Sequence, residues 1–396
     1  MPWLLFCAFF LLLPTLTEAR VITDIERWQG EVSVSEELRV AKTGQLFIAP
    51  GTRVVSRAHI EILGQLQAIG VDFSGDDWPG LVLKGTDAAT LVQDCRVTGA
   101  RTGITIIGGE PRVLGSRFEK NQVGIELRHK SRALLENNRF IENSRVGLFV
   151  KDEAEALVRH NTFAQQGKFG AYIYRAKPAE FRDNQFFDNP TGLIISYYGS
   201  DPHIRHNQFE RNQTGIKVDR SARPHLYANR IIANQIGIAL DRRSDPLIEN
   251  NLLRLNQQAI LVKFSSYPVI RHNDFSANQQ SLVLEYQSSS WEIANGAAAR
   301  QQQTTSRGAF GGQKQAQVTE TQRQARGLDG YVDARKNWWG LAETQILKNA
   351  DEEANLPWIV DGYDTATFEE SGKDWPLDRV RWWPFASAPM TNEDLL

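Results

Sequence analysis

The 396-residue chain reads as an all-β solenoid, a single-stranded parallel β-helix of about twelve coils of 22–23 residues. Three observations predict it. An apolar position recurs every 21 to 23 residues through Val97, Phe118, Phe140, Phe163, Phe186, Phe209, Ile231, Leu253 and Phe275. Two asparagine columns keep step with it. Asn138, Asn161, Asn184, Asn207, Asn229, Asn251 and Asn273 lie two residues before, and Asn121, Asn143, Asn189, Asn212, Asn234, Asn256 and Asn278 three residues after, with Gln166 as the lapse. A glycine, from Gly103 to Gly237, then opens a short run of alternating residues such as Ile216-Lys217-Val218, the period-2 pattern of a strand with one buried face.

Two or three short strands per period, with no helical periodicity between them, stack each coil on the last at about 4.8 Å, so residues one period apart become vertical neighbours. The phenylalanines then fill the bore, each contributing roughly 1.5–3 kcal/mol once its neighbours stack on it. The asparagines belong at the bends, where their residue type tolerates left-handed backbone angles and their amides bond to the amides above and below. Pro111, Pro178, Pro202, Pro224, Pro246 and Pro268 mark a further turn column.

At the N-terminus, the apolar run Leu4 to Leu13 and the small-residue exit Thr17-Glu18-Ala19 read as a secretory signal, residues 1–19, cleaved after Ala19. An uncleaved anchor is the alternative. No later segment reaches the roughly 20 apolar residues of a membrane span, so the mature chain is expected in the periplasm or outside the cell. Cys7 leaves with the signal and Cys95 stays alone, unable to form an internal disulfide. Residues 20–95 are expected to form an N-terminal cap and first coils, and 96–286 the regular coils. The polar stretch 287–330 reads as a flexible insertion, and 331–396 as a final coil and Trp-rich cap plugging the bore with six of the ten tryptophans.

With 45 basic and 47 acidic residues the chain is not a nucleic-acid coat, and two cysteines, two methionines and seven histidines do not make a soft-metal carrier. No cofactor or metal is called for. Function therefore rests on the outward columns. One reads Thr105, Glu126, Phe149, Tyr172, Ile194, Lys217; two residues on, another reads Arg128, Lys151, Tyr174, Tyr197, Asp219, with Tyr198 beside it. Phe149, Tyr172, Tyr174, Tyr197 and Tyr198 then form an aromatic wall that either stacks on sugar rings or a protein partner or is covered by ordinary packing. A second wall reads Leu114, Glu136, Arg159, Arg182, Arg205, Tyr227, Glu249, Arg271. Three successive arginines about 4.8 Å apart repel by roughly 0.9 kcal/mol per pair in water, so they are either hydrated and flanked by glutamates or face an anion such as an acidic polysaccharide.

The repeat Asn-x-Phe-x-x-Asn-x-x-Gly-Ile resembles the right-handed parallel β-helix repeats of the pectin-lyase-like superfamily, in particular the family of carbohydrate-binding proteins and sugar hydrolases with NosD-like repeats. Ala49-Pro50-Gly51-Thr52 is similar to their first coils, and Asn337-Trp338-Trp339-Gly340 to their closing segment. The resemblance implies a right-handed coil and leaves the activity open. Tyr198-Gly199-Ser200-Asp201-Pro202-His203 is similar to the Tyr-Gly-Phe-Asp-Pro-His motif of mannuronan C-5 epimerases, with Ser in place of Phe. That resemblance implies Asp201 and His203 around proton abstraction, with Arg205 and His225 as neighbours; the bland reading is a chance match on the proline turn template. His160, His206 and His272 form an interrupted column read as turn hydrogen bonding, not as a metal site. Two functions stay open: binding of an acidic glycan or a protein partner through the aromatic and arginine columns, or polyuronate lyase or C-5 epimerase chemistry at Asp201, His203 and Arg205.

Overall fold

A computed structural model describes residues 19–296, 299 and 328–389. The expected signal and the greater part of the 287–330 insertion lie outside the described residues.

Three parallel sheets wind around one apolar bore, with fourteen, fourteen and eleven strands, and a two-stranded antiparallel ribbon is added near the C-terminus. Each coil visits the three sheets in turn. Thr191–Ser196 belongs to the first, His203–Arg205 to the second and Gln208–Glu210 to the third, before Thr214–Asp219 rejoins the first one rung up. The expected stacking of residues one period apart is therefore the observed register.

Inside, like stacks on like. The rings of Phe140, Phe163, Phe186 and Phe209 follow one another at 4.7 Å, nearly parallel. At the C-terminal end Trp339 stacks on Phe275 at 5.0 Å and prolongs the column. The asparagine columns are hydrogen-bond ladders. Asn161 Nδ2 donates to Asn184 Oδ1 at 3.0 Å, and Asn184 Nδ2 donates to Asn207 Oδ1 at 3.0 Å. Gln166 keeps its place in the second ladder by accepting from Asn143 Nδ2 at 3.0 Å. One expectation is corrected here. The asparagines themselves are not left-handed; the residue before each one is, as at His160, Asp183 and His206 with φ of 57°, 56° and 55°. The bend is made by the preceding backbone, and the amide is left to bridge rungs.

The glycine that opens the first-sheet strands from Gly103 to Gly237 has a steric cause. A Cβ on Gly147 would stand 2.6 Å from the Gly170 carbonyl oxygen and 3.0 Å from Phe140, so at this rung the chain passes too close to the next for a side chain.

Asn273 continues its ladder not at the next period but on Asn337, 64 residues on. In sequence the insertion follows Gln280–Glu285 of the first sheet and precedes Tyr331–Asp333 of the second. Its first described residues form helix α1, Ser289–Asn295, where strand was not expected and a flexible stretch was. The Asp378 carboxylate accepts from the Ser289 backbone N–H and hydroxyl and from Tyr267 Oη, all within 3.0 Å. Glu292 forms a buried ion pair with Arg243 at 2.9 Å. A second helix, α2, spans Leu341–Leu347. No helix among the described residues is long and apolar enough to cross a membrane.

Candidate functional site

On the second sheet, Ile204 and Leu226 point into the bore and are fully buried, so the residues on either side of each point outward. This fixes a grid of side chains. Its first column pairs His203 with His225, and its second runs Glu136, Arg159, Arg182, Arg205, Tyr227, Glu249, Arg271 in the expected order.

The arginines differ in their company. Arg159 bonds Glu136 at 3.1 Å and lies 3.6 Å from Glu180, while Arg182 pairs with Glu180 at 3.4 Å and with Asp183. Arg271 holds Glu249 at 2.8 Å. Arg205 is exposed and makes no ion pair among the described residues. Beside it, the His203 ring meets His225 edge-on at 5.4 Å, and His225 Nε2 lies 2.9 Å from Glu249 Oε1. Partial burial pushes the His203 pKa below the usual imidazole value, and the neighbouring His225, Lys177 and Arg205 push it the same way.

Asp201 lies in the turn that leads into the His203–Arg205 strand. Its Oδ1 accepts the Arg223 backbone N–H at 2.8 Å, and Asp245 does the same for Tyr267 at 2.8 Å two coils on. This Asp-Pro frame is a repeated turn cap. Ser200 is buried, with its hydroxyl donating to the Ser196 carbonyl at 2.9 Å.

The aromatic wall lies on the outer face of the first sheet. Phe149 and Tyr172 stack at 4.9 Å and pack with Val123, Val146 and Ile194, leaving them only 5% and 9% exposed. Burial raises the Tyr172 pKa. The accessible aromatic surface is at Tyr174, Tyr197 and the 38%-exposed Tyr198. Tyr197 is not in the expected column. Ser196 is the register partner of Tyr174, and Tyr197 lies past the strand with φ 89°. Its ring still reaches Tyr174 at 5.4 Å, with the Arg175 guanidinium 4.1 Å above it.

Two groups escaped the sequence reading. One is the ionic cluster where Arg242 clasps the buried Asp219 and Lys217 reaches Asp241 at 3.5 Å. The other is an arginine column on the third sheet, Arg96, Arg117 and Arg139, of which the first two share Glu119. The same period that located the second-sheet column locates this one. Cys95 is buried, and burial pushes its thiol up to about 11, so it is an inert core residue. His160, His206 and His272 occupy left-handed corners, and among the described residues no group of three or more His, Cys, Asp or Glu is placed to hold a metal ion.

Short parallel strands in three continuous sheets, with internal Phe and Asn ladders, define a parallel β-helix protein. The chain belongs to the right handed beta helix region family, whose model matches residues 59–209 and 194–298. Among solved structures it is similar to a double mutant of the periplasmic alginate epimerase AlgG, with 15% identity over 66% of this chain and 75% of that one at a TM-score of 0.47. It is also similar to the Dettilon tailspike protein, with 13% identity over 65% and 60% at 0.40. The A-module of the Azotobacter vinelandii mannuronan C-5 epimerase AlgE4 is 14% identical over 65% and 88% at 0.36. No curated protein matches the chain.

Proposed function

We propose that this β-helix is exported to the periplasm or beyond and binds an acidic polysaccharide along the outer face of its second sheet. The observation that carries the reading is the in-register column Arg159, Arg182, Arg205, with Arg205 lacking an ion pair among the described residues. A polyanion laid along the coil axis meets one outward side chain of this column per rung, at the roughly 4.8 Å strand spacing. The half-buried Tyr227 continues the column and offers a ring face to a sugar. Binding of polygalacturonate and alginate, with dextran as the neutral control, tests the reading by isothermal titration. Polyanion binding that weakens with added salt is expected, and equal affinity for dextran rejects it.

A second reading, polyuronate lyase or C-5 epimerase, is favoured by one arrangement: His203 beside His225, which Glu249 holds, with Arg205 on the same rung. That is a base with a nearby carboxylate-neutralising cation. The role of Asp201 as a turn cap counts against its part in that chemistry. Incubation with polyuronates, followed by absorbance for unsaturated ends and proton NMR for epimerised units, decides between the two. Product formation selects the enzyme, and binding without product selects the binding protein.

A further inference from the structure

We infer that the His203–His225 pair makes this face a proton-coupled anion site, so that its grip on a polyanion tightens as the pH falls. The inference rests on the acidic-glycan reading above and adds its regulation.

The argument starts from what faces His203. On its own strand is Arg205; on the preceding rung are Glu180 and Arg182; on the following rung are His225 and Tyr227; Lys177 and Asp201 lie in the corners leading to it. Glu180 is engaged by Arg159 and Arg182, and Asp201 by the Arg223 backbone. Glu249, two rungs on, is held by Arg271 and faces His225. The charges that remain around His203 are therefore cationic. Its imidazole pKa is held below the usual value, first by desolvation and then by His225, Lys177 and Arg205.

An external anion seated against Arg205 offsets the cationic surroundings that disfavour a proton on His203. Binding then takes up protons, and by linkage acid strengthens binding. The sign follows from the change on binding: a bound anion raises the His203 pKa from its lowered ligand-free position, so the gain is absent well above the ligand-bound value, appears as the pH falls through it and is complete below the ligand-free value. One unit charge about 5 Å from another in water changes affinity by about fourfold.

The test uses dextran sulfate, whose sulfate esters stay ionised throughout, beside neutral dextran, at constant ionic strength and at about pH 5 and pH 7.5, the range in which imidazole titrates. Titration calorimetry in two buffers of different ionisation heat counts the protons taken up by the wild type. The expected results are affinity about fourfold or more higher at the acid pH, net proton uptake on binding, and a ratio between the two pH values that falls to about one in the His203→Gln His225→Gln double variant. Equal wild-type affinity at both pH values, or an acid gain that survives in the double variant, overturns the proton coupling while leaving the anion face standing. Absence of dextran sulfate binding at either pH removes the anion face itself, and the coupling with it.

Discussion

The bore and the outer face of the second sheet are built by the same register and filled by opposite rules. Inside, identical neutral groups repeat: Phe on Phe at 4.7 Å, Asn on Asn at 3.0 Å. Outside, successive like charges are flanked by shared carboxylates. Arg159 and Arg182 share Glu180, and on the third sheet Arg96 and Arg117 share Glu119. The reason is the sign of the self-interaction. Stacked rings and amides gain by repetition, whereas stacked guanidiniums repel by roughly 0.9 kcal/mol per adjacent pair in water. An outward cation with no carboxylate partner is thus the one left available to a ligand. Arg139, Arg230 and Arg254 on the third sheet also make no ion pair among the described residues, but Arg205 stands beside two histidines.

The comparison predicts that substitutions in the bore act on stability and those on the face act on binding. The largest effect is expected for Phe163→Ala, which removes a fully buried ring sandwiched by Phe140 and Phe186. A loss of about 3–5 kcal/mol is expected in denaturant unfolding; a loss below about 1 kcal/mol would show the stack to be dispensable. Next comes Asn184→Ala. Asn184 Oδ1 accepts from both the backbone N–H and Nδ2 of buried Asn161, and its Nδ2 serves the Val158 carbonyl. Orphaning those groups costs about 2–4 kcal/mol, and Asn184→Gln should cost less, since Gln166 already fills such a place. Gly147→Ala follows at about 1–3 kcal/mol, because its Cβ would press on the Gly170 carbonyl oxygen, which belongs to the next rung and cannot turn away.

The repeat was legible because interior chemistry repeats. Every member of the second-sheet arginine column and its neighbours was placed from sequence, since a three-residue strand followed by a fixed bend leaves no room to slip. Tyr197 was misplaced because the rung from Tyr174 to Ser196 is one residue shorter than the one before it. A one-residue error moves a side chain from the strand to the corner. That Phe149 and Tyr172 point outward was readable; that they are covered was not, because exposure depends on Val123, Val146 and Phe169 around them. The pairing of Arg159 with Glu180 and of His225 with Glu249 was also hidden. Register brings columns side by side, but which long side chains meet is settled by their rotamers.

The smallest effect on stability is expected for Arg205→Ala, and it is the sharpest test of the contrast. Arg205 is exposed and unpaired among the described residues, so its loss orphans no partner and should change unfolding free energy by less than about 0.5 kcal/mol. Its effect should appear instead as an affinity for dextran sulfate reduced about fourfold, the size of one unit-charge contact near 5 Å, with a shallower dependence on salt. Arg159→Ala is the variant to compare with it. Removing that side chain releases Glu136 and leaves Glu180 to Arg182 alone, so it deletes a cation already neutralised in the fold and frees a carboxylate that repels the ligand. If the face acts through its unanswered cation, Arg205→Ala must lower affinity by a loss of salt-sensitive attraction at unchanged unfolding midpoint. If both variants weaken binding only in proportion to lost stability, the outer column is part of the scaffold and the distinction between bore and face fails.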